Sequence, residues 1–152
     1  MWKEYLNPEE KESWWKNTLL VVVADHGHRF PGLSANYEIN KYKIPMLWIG
    51  GALKSKGKIS KLASQNDIDA TLLSQLNISS NDYIFSKNII GKQPAFAYYV
   101  FNNGFGIIKD SSAVIFDCTS NRPVYSAGND RQQIENIGKA YIQDIYTDLE
   151  NR

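Results

Sequence analysis

Residues 17–29 read NTLLVVVADHGHR. Residues 19–24 form an unbroken apolar run rich in valine, and Asp25, His26, Gly27, His28 and Arg29 follow without a spacer. Alternating apolar and polar residues mark a strand with one wet face. A continuous β-branched run marks a strand covered on both faces, as in a parallel sheet beneath helices. Residues 19–24 are therefore expected to form a buried parallel strand. In open α/β sheets the chemistry gathers at the carboxyl ends of such strands. Two potential metal ligands, Asp25 and His26, emerge at that end, and Gly27 lets the backbone turn sharply after them. The plainer alternative is a strand that ends in a polar turn.

The 152 residues suit one ordinary domain. Hydrophobic residues make up 43% and charged residues 22%, which predicts a globular chain rather than a disordered one. A net charge of +1 gives no broad attraction to nucleic acid or to an anionic membrane, so no nucleic-acid partner is expected. Cys118 is the only cysteine, which excludes an internal disulfide and leaves the compartment open. No apolar segment is long enough to cross a bilayer, and no signal-peptide pattern follows Met1.

On the N-terminal side, Asn7, Pro8 and Glu10 have the chemistry of a helix start: a cap, a first-turn proline and a third-position acid. That helix is expected to reach Trp15, with Trp14 and Trp15 packed on the sheet. On the C-terminal side, residues 27–43 lack any sustained period and read as a loop punctuated by Pro31, Gly32, Asn36 and Asn40. The loop carries His28, Arg29, Tyr37, Glu38, Lys41 and Lys43, any of which can face a substrate anion or simply solvent. Residues 44–49 (IPMLWI) form a second short apolar strand, with Pro45 near its start and Gly50-Gly51 after it. Lys54, Lys56, Lys58 and Lys61 then read as a solvated lysine loop.

Residues 65–77 are expected to be helical, capped by Asn66 with Asp69 three residues on, and with Ile68, Leu72, Leu73 and Leu76 as the apolar face. Asp67 and Asp69 read as first-turn carboxylates before they read as an acid–base pair. After about residue 91 the pattern changes. Segments 95–101, 105–109, 113–117 and 123–126 are short strands separated by Asn102-Asn103-Gly104, Lys109-Asp110-Ser111 and Ser120-Asn121-Arg122. A final helix starts at Asp130, and its stripe of Ile134, Ile137, Tyr141, Ile142, Ile145 and Leu149 needs a sheet face to bury it. The expected class is α/β. Residues 1–92 would be the C-terminal part of a core with parallel strands, and residues 93–152 a small antiparallel sheet packed on a C-terminal helix.

Four blocks in this order, NTLLVVVADHGHR, YKIPMLWIGG, SQNDIDATLLSQLNI and FAYYVFNNGFGIIKD, resemble the C-terminal part of alkaline-phosphatase-superfamily enzymes, in the sulfatase and lipoteichoic-acid-synthase-like branch. The resemblance implies that Asp25 and His26 are adjacent metal ligands at a strand end; His28 and Arg29, in the charged loop that follows, are expected to contact an anionic substrate. His28 departs from the acidic residue that many relatives carry there. The resemblance further implies a serine, threonine or formylglycine nucleophile and another acidic ligand far upstream, so the chain is expected to be a fragment of a longer enzyme. Calcium prefers an all-oxygen shell, whereas a carboxylate plus an imidazole suits zinc or manganese. That tilts the expected reaction toward phosphoester chemistry, such as phosphoglycerol or phosphoethanolamine transfer, over sulfate-ester hydrolysis.

The expected partners are an anionic ester, with a lipid head group or glycan as its carrier, and the N-terminal part of the same enzyme. Self-association through apolar strand edges is also expected. By resemblance, the full-length protein acts on the extracytoplasmic or periplasmic side of a bacterial membrane. A reading from a different class is a non-catalytic binding or structural module, in which Phe96, Tyr98, Tyr99, Phe101 and Phe105 line a glycan or peptide surface rather than a core.

Overall fold

The computed structural model describes residues 13–27, 35 and 37–152. The chain divides into two compact units, Met1–Ser34 with Glu38–Lys58 and Ala35–Tyr37 with Ile59–Arg152. The helix start expected at Asn7, Pro8 and Glu10 lies outside the described residues.

In the first unit, a 3-10 turn over Ser13–Asn17 leads into β1 (Leu20–Val23); a single helical turn, α1 (Ile39–Tyr42), precedes β2 (Met46–Ile49). Trp14 and Trp15 pack edge to face on each other, 5.8 Å between centroids. Trp14 is exposed rather than buried against a sheet. The expected loop is also interrupted by α1, which follows extended backbone at Glu38.

The expectation of a parallel strand buried on both faces is corrected. β1 and β2 pair antiparallel, with Leu20 opposite Ile49 and Val23 opposite Met46. Leu20 is exposed, and Val21, Val22 and Val23 are half-buried. The connection explains the direction. It leaves β1 at Val23 and returns at Met46, beside the point of departure. A parallel pair needs a crossover of about a dozen or more residues that carries the chain back along the strand, usually as a helix. The helix found in the described part of this connection is only the turn α1. Pro45, which has no N–H for a ladder, stands just ahead of β2.

The second unit begins with α2 (Asp67–Gln75) and continues through β3 (Phe96–Phe101), β4 (Gly104–Lys109), β5 (Ser112–Asp117) and β6 (Arg122–Ala127) to α3 (Arg131–Glu150). The four strands form an antiparallel meander in sequence order, as expected. Asn103, Asp110 and Asn121 adopt positive φ in its turns, a conformation that short polar side chains tolerate best after glycine. α3 covers one face. Tyr98, Phe105, Ile107, Val114 and Phe116 from the sheet meet Ile134 from the helix, with Ile137, Tyr141, Ile142 and Ile145 packed around them. Leu149, the last residue of the expected stripe, is 67% exposed because the helix there has run past the core. Among the described residues no helix is long and apolar enough to cross a membrane.

α2 departs from its expected apolar face. Its buried residues are Asp67, Ala70 and Thr71, while Leu76 is exposed. Asn66 makes no side-chain cap. Instead the Asp67 carboxylate accepts the Ser64 N–H at 2.8 Å, the Lys87 N–H at 2.9 Å and the Lys87 ammonium at 2.9 Å. Lys87 lies over the Phe96 ring, 3.8 Å from its centroid. The Thr71 hydroxyl donates to the Asp67 carbonyl and accepts the Ile89 N–H. This polar knot ties the start of α2 to the segment before β3, where an apolar face alone would leave register free to slip.

Two substitutions test this packing. Gly138 of α3 sits against Phe105, and an added Cβ would overlap the ring at Cε2. Alanine gains about 1 kcal/mol of helix propensity there. Overpacking a fully buried ring costs about 1–3 kcal/mol, so Gly138→Ala is expected to be net destabilising in urea denaturation. Asp67→Ala leaves the mostly buried Lys87 ammonium without its carboxylate, and is expected to cost about 3–5 kcal/mol in the same assay.

Candidate metal centre

The pair Asp25–His26 stands directly beyond β1. Its local geometry follows from Gly27, whose N–H donates to the Lys41 carbonyl at 2.6 Å. A side chain at this position would put its Cβ 2.8 Å from the same oxygen, so the chain passes this close to α1 only with glycine here. The Gly27 carbonyl lies 2.9 Å from His26 Nδ1. Asp25 Oδ1 accepts the His26 N–H at 2.8 Å, which turns the carboxylate back toward the imidazole. Asp25 Oδ2 and His26 Nε2 are then 3.5 Å apart.

One tautomer suits these contacts. A carbonyl can only accept, so Nδ1 carries the proton it donates to Gly27. In the neutral ring Nε2 is then a bare lone pair. The distance from Nε2 to Oδ2 exceeds the 2.7–3.2 Å of an N–H···O bond. In that tautomer Nε2 and Oδ2 are two acceptor atoms 3.5 Å apart. Ligands about 2.0–2.1 Å from a tetrahedral zinc lie about 3.4 Å apart. The donor types, a carboxylate oxygen and an imidazole nitrogen, are ones that divalent cations take.

The pair is open to solvent: the side chains of Asp25 and His26 are 86% and 58% exposed. Among the described residues no group of three or more His, Cys, Asp or Glu comes together. His28 and Arg29 lie outside the described residues. Asp67 and Asp69 form no paired-carboxylate site, because Asp67 is buried on Lys87 while Asp69 faces solvent. The five aromatics weighed as a binding surface divide between the two faces of the sheet. Phe96, Tyr98 and Phe105 belong to the core. Tyr99 and Phe101 lie over their cross-strand partners Gly106 and Gly104 on the other face, where the Tyr99 hydroxyl donates to the Tyr37 carbonyl at 2.9 Å. The Tyr98 hydroxyl is buried with no hydrogen-bond partner among the described residues. Burial, reinforced by Cys118, Tyr141 and Tyr146, pushes its phenol well above the usual range and keeps it neutral. It belongs to the core and not to a catalytic acid–base pair.

Sequence reasoning treated Gly27 only as a turn residue. Its contact with Lys41 spans the whole connection and leaves no local signal. The Ser64–Asp67 pairing had a local signal, the spacing of a serine and an acid three residues later, but Asn66 competed with it as a cap.

A family model described as Sulfatase matches residues 9–78, a segment that contains β1, Asp25, His26, Gly27, β2 and α2. The solved structure of a protein in the alkaline phosphatase superfamily from Vibrio parahaemolyticus is similar over 86% of this chain, with a TM-score of 0.65 and 20% sequence identity. The fold is one found in the alkaline phosphatase superfamily. This chain covers 35% of that solved chain, about a third of its length.

If Asp25 and His26 ligate one cation together, zinc at ten times its dissociation constant should stabilise the protein by about 1.4 kcal/mol. A thermal unfolding series with and without zinc reads this as a rise in Tm. Asp25→Asn and His26→Ala should each abolish most of the rise.

Proposed function

We propose that this chain forms the metal-ligand-bearing part of an enzyme that hydrolyses or transfers phosphoesters or sulfate esters. The observation that carries the reading is the Asp25–His26 pair at the end of β1, with two lone-pair donors 3.5 Å apart, inside the segment matched by the Sulfatase family model. Asp25 supplies negative charge to a cation, and His26 supplies a neutral nitrogen donor. A bound divalent cation lowers the pKa of a nucleophilic hydroxyl and neutralises charge on the anionic ester oxygens. Arg29, by its planar guanidinium, is the residue type that binds two oxygens of such an anion, and His28, next to it in the sequence, is a second donor type.

The imidazole ligand favours zinc or manganese and, with it, a phosphoester over a sulfate ester. A phosphoglycerol or phosphoethanolamine transferase of the lipoteichoic-acid-synthase-like kind, acting on a lipid head group or glycan outside the cytoplasmic membrane, is the specific form we infer. The nucleophile and the remaining ligands would come from polypeptide outside these residues. One fact supports this: the chain covers 35% of the similar solved structure. The apolar side chains Leu20, Met46 and Leu47 are exposed on the β1–β2 pair, a surface that recruits further strands or other copies. The alternative reading, a binding module built on the aromatic sheet, loses three of its five rings to the core.

The test compares these 152 residues with a longer product of the same gene, each assayed with manganese and zinc on a chromogenic phosphodiester and a chromogenic sulfate ester. The longer protein should turn over the phosphodiester and lose at least a hundredfold in kcat with Asp25→Asn, whereas the 152 residues alone should be inactive. Metal-dependent turnover by the 152 residues alone would overturn the external nucleophile. Full activity of the longer Asp25→Asn protein would overturn the site.

A further inference from the structure

Residues 39–66 contain Lys41, Lys43, Lys54, Lys56, Lys58 and Lys61 and no aspartate or glutamate. The net charge of +1 for the whole chain conceals this local excess, whereas surfaces ordinarily interleave both signs. The lysines divide by use. Lys61 donates its ammonium to the Gly91 carbonyl at 2.5 Å. Lys54, Lys56 and Lys58 make no hydrogen bond or ion pair among the described residues. They stand on open chain: residues 51–61 are all exposed and form no helix or strand. At Gly57, between Lys56 and Lys58, an added Cβ would meet nothing within 4 Å. The fold makes no use of these three closely spaced cations, and their mutual repulsion works against it. We propose that Lys54, Lys56 and Lys58 form a docking arm for an anionic lipid surface. Charge and exposure carry this, independently of the metal centre and of the reaction proposed above.

The composition of the segment selects the partner. Residues 51–61 contain no arginine. Arginine forks onto individual phosphates, whereas lysine is a hydrated point charge, suited to a diffuse sheet of charge more than to one fixed anion. The segment also lacks any aromatic residue, and single-stranded nucleic acid is held by stacking its bases on aromatic rings. Leu53 and Ile59, just before and just after the three lysines, are exposed apolar residues. Cations interspersed with apolar side chains bind at a headgroup boundary. Chain without helix or strand can spread its lysines over a fluid surface that has no preset spacing. Each lysine near an anionic leaflet raises partition about fivefold, and three together about a hundredfold. The attraction decays over about 8 Å at physiological salt, so it acts only at the surface itself.

Flotation with vesicles tests this on the 152-residue chain, with a chelator present so that the metal centre plays no part. One set of vesicles is phosphatidylcholine alone, and the other is phosphatidylcholine and phosphatidylglycerol in equal parts. The chain should float with the anionic vesicles at low salt, stay behind with the neutral ones, and be released as salt is raised. Replacing Lys54, Lys56 and Lys58 together by Gln should lower the partition coefficient about a hundredfold. Replacing Lys92, Arg122 and Arg131 together by Gln removes the same net charge elsewhere and should lower it by less than about fivefold. All six residues are exposed, so both variants should keep the Tm of the unaltered chain. No flotation with the anionic vesicles would make the segment a solvated loop and overturn the proposal. Equal binding to both vesicle types, or equal loss in the two variants, would also overturn it, by assigning the effect to apolar side chains or to net charge. Capture of soluble polyphosphate without vesicle binding would overturn the lipid surface as the partner.

Discussion

The contact between the Gly27 N–H and the Lys41 carbonyl, 2.6 Å across, closes the connection between β1 and β2. With it closed, the chain returns to the end of β1 it has just left, so β2 runs antiparallel. With it closed, Asp25 and His26 are also held at the mouth of that connection. One backbone hydrogen bond, at a residue where a Cβ would crowd the Lys41 oxygen, thus lies beside both the strand pairing and the Asp25–His26 pair. The bond is worth only about 1 kcal/mol net by itself. Its place matters more than its strength, because it joins the residue after the Asp25–His26 pair to α1.

The second unit is held by different physics. Its meander and α3 share an apolar core in which Phe105 and Ile107 are almost wholly removed from water. Each fully buried large side chain contributes about 1.5–3 kcal/mol. Non-directional burial of this kind stabilises the unit without fixing where α2 begins, and the Asp67–Lys87 pair supplies that register through directed bonds to Ser64 and Lys87. Buried ion pairs add little net stability but are costly to break. Here the pair keeps α2 attached to the segment that feeds β3.

Legibility in the sequence followed the range of the determining contacts. The four strands of the meander and α3 were readable because their turns rest on local Asn, Asp and Gly chemistry and their burial on regular spacing. The run at residues 19–24 announced a strand, but an unbroken apolar run carries no information on the direction of its neighbour. The strand pairing was therefore misread as parallel. Burial was misread with it, since a valine run looks the same whether or not both faces are covered. The cap of α2 was placed on Asn66 because the residue that settles the matter, Lys87, lies twenty positions away. Asp25 and His26 were legible as ligand types at a strand end. The contact of the His26 ring with the Gly27 carbonyl and the hydrogen bond from Gly27 to Lys41 are displayed only by the folded backbone. His28 and Arg29 lie outside the described residues, so their reading rests on the sequence.

The proposed centre is one cation held by one imidazole nitrogen, from His26, and one carboxylate oxygen, from Asp25. X-ray absorption at the zinc edge of the zinc-loaded protein, with zinc kept below the protein concentration, reads that shell directly. It should show a single imidazole, recognisable by scattering from the outer ring atoms, with the remaining donors oxygen and no sulfur. Two imidazoles, which would bring in His28, a sulfur donor from Cys118, or a shell unchanged by His26→Ala would contradict it.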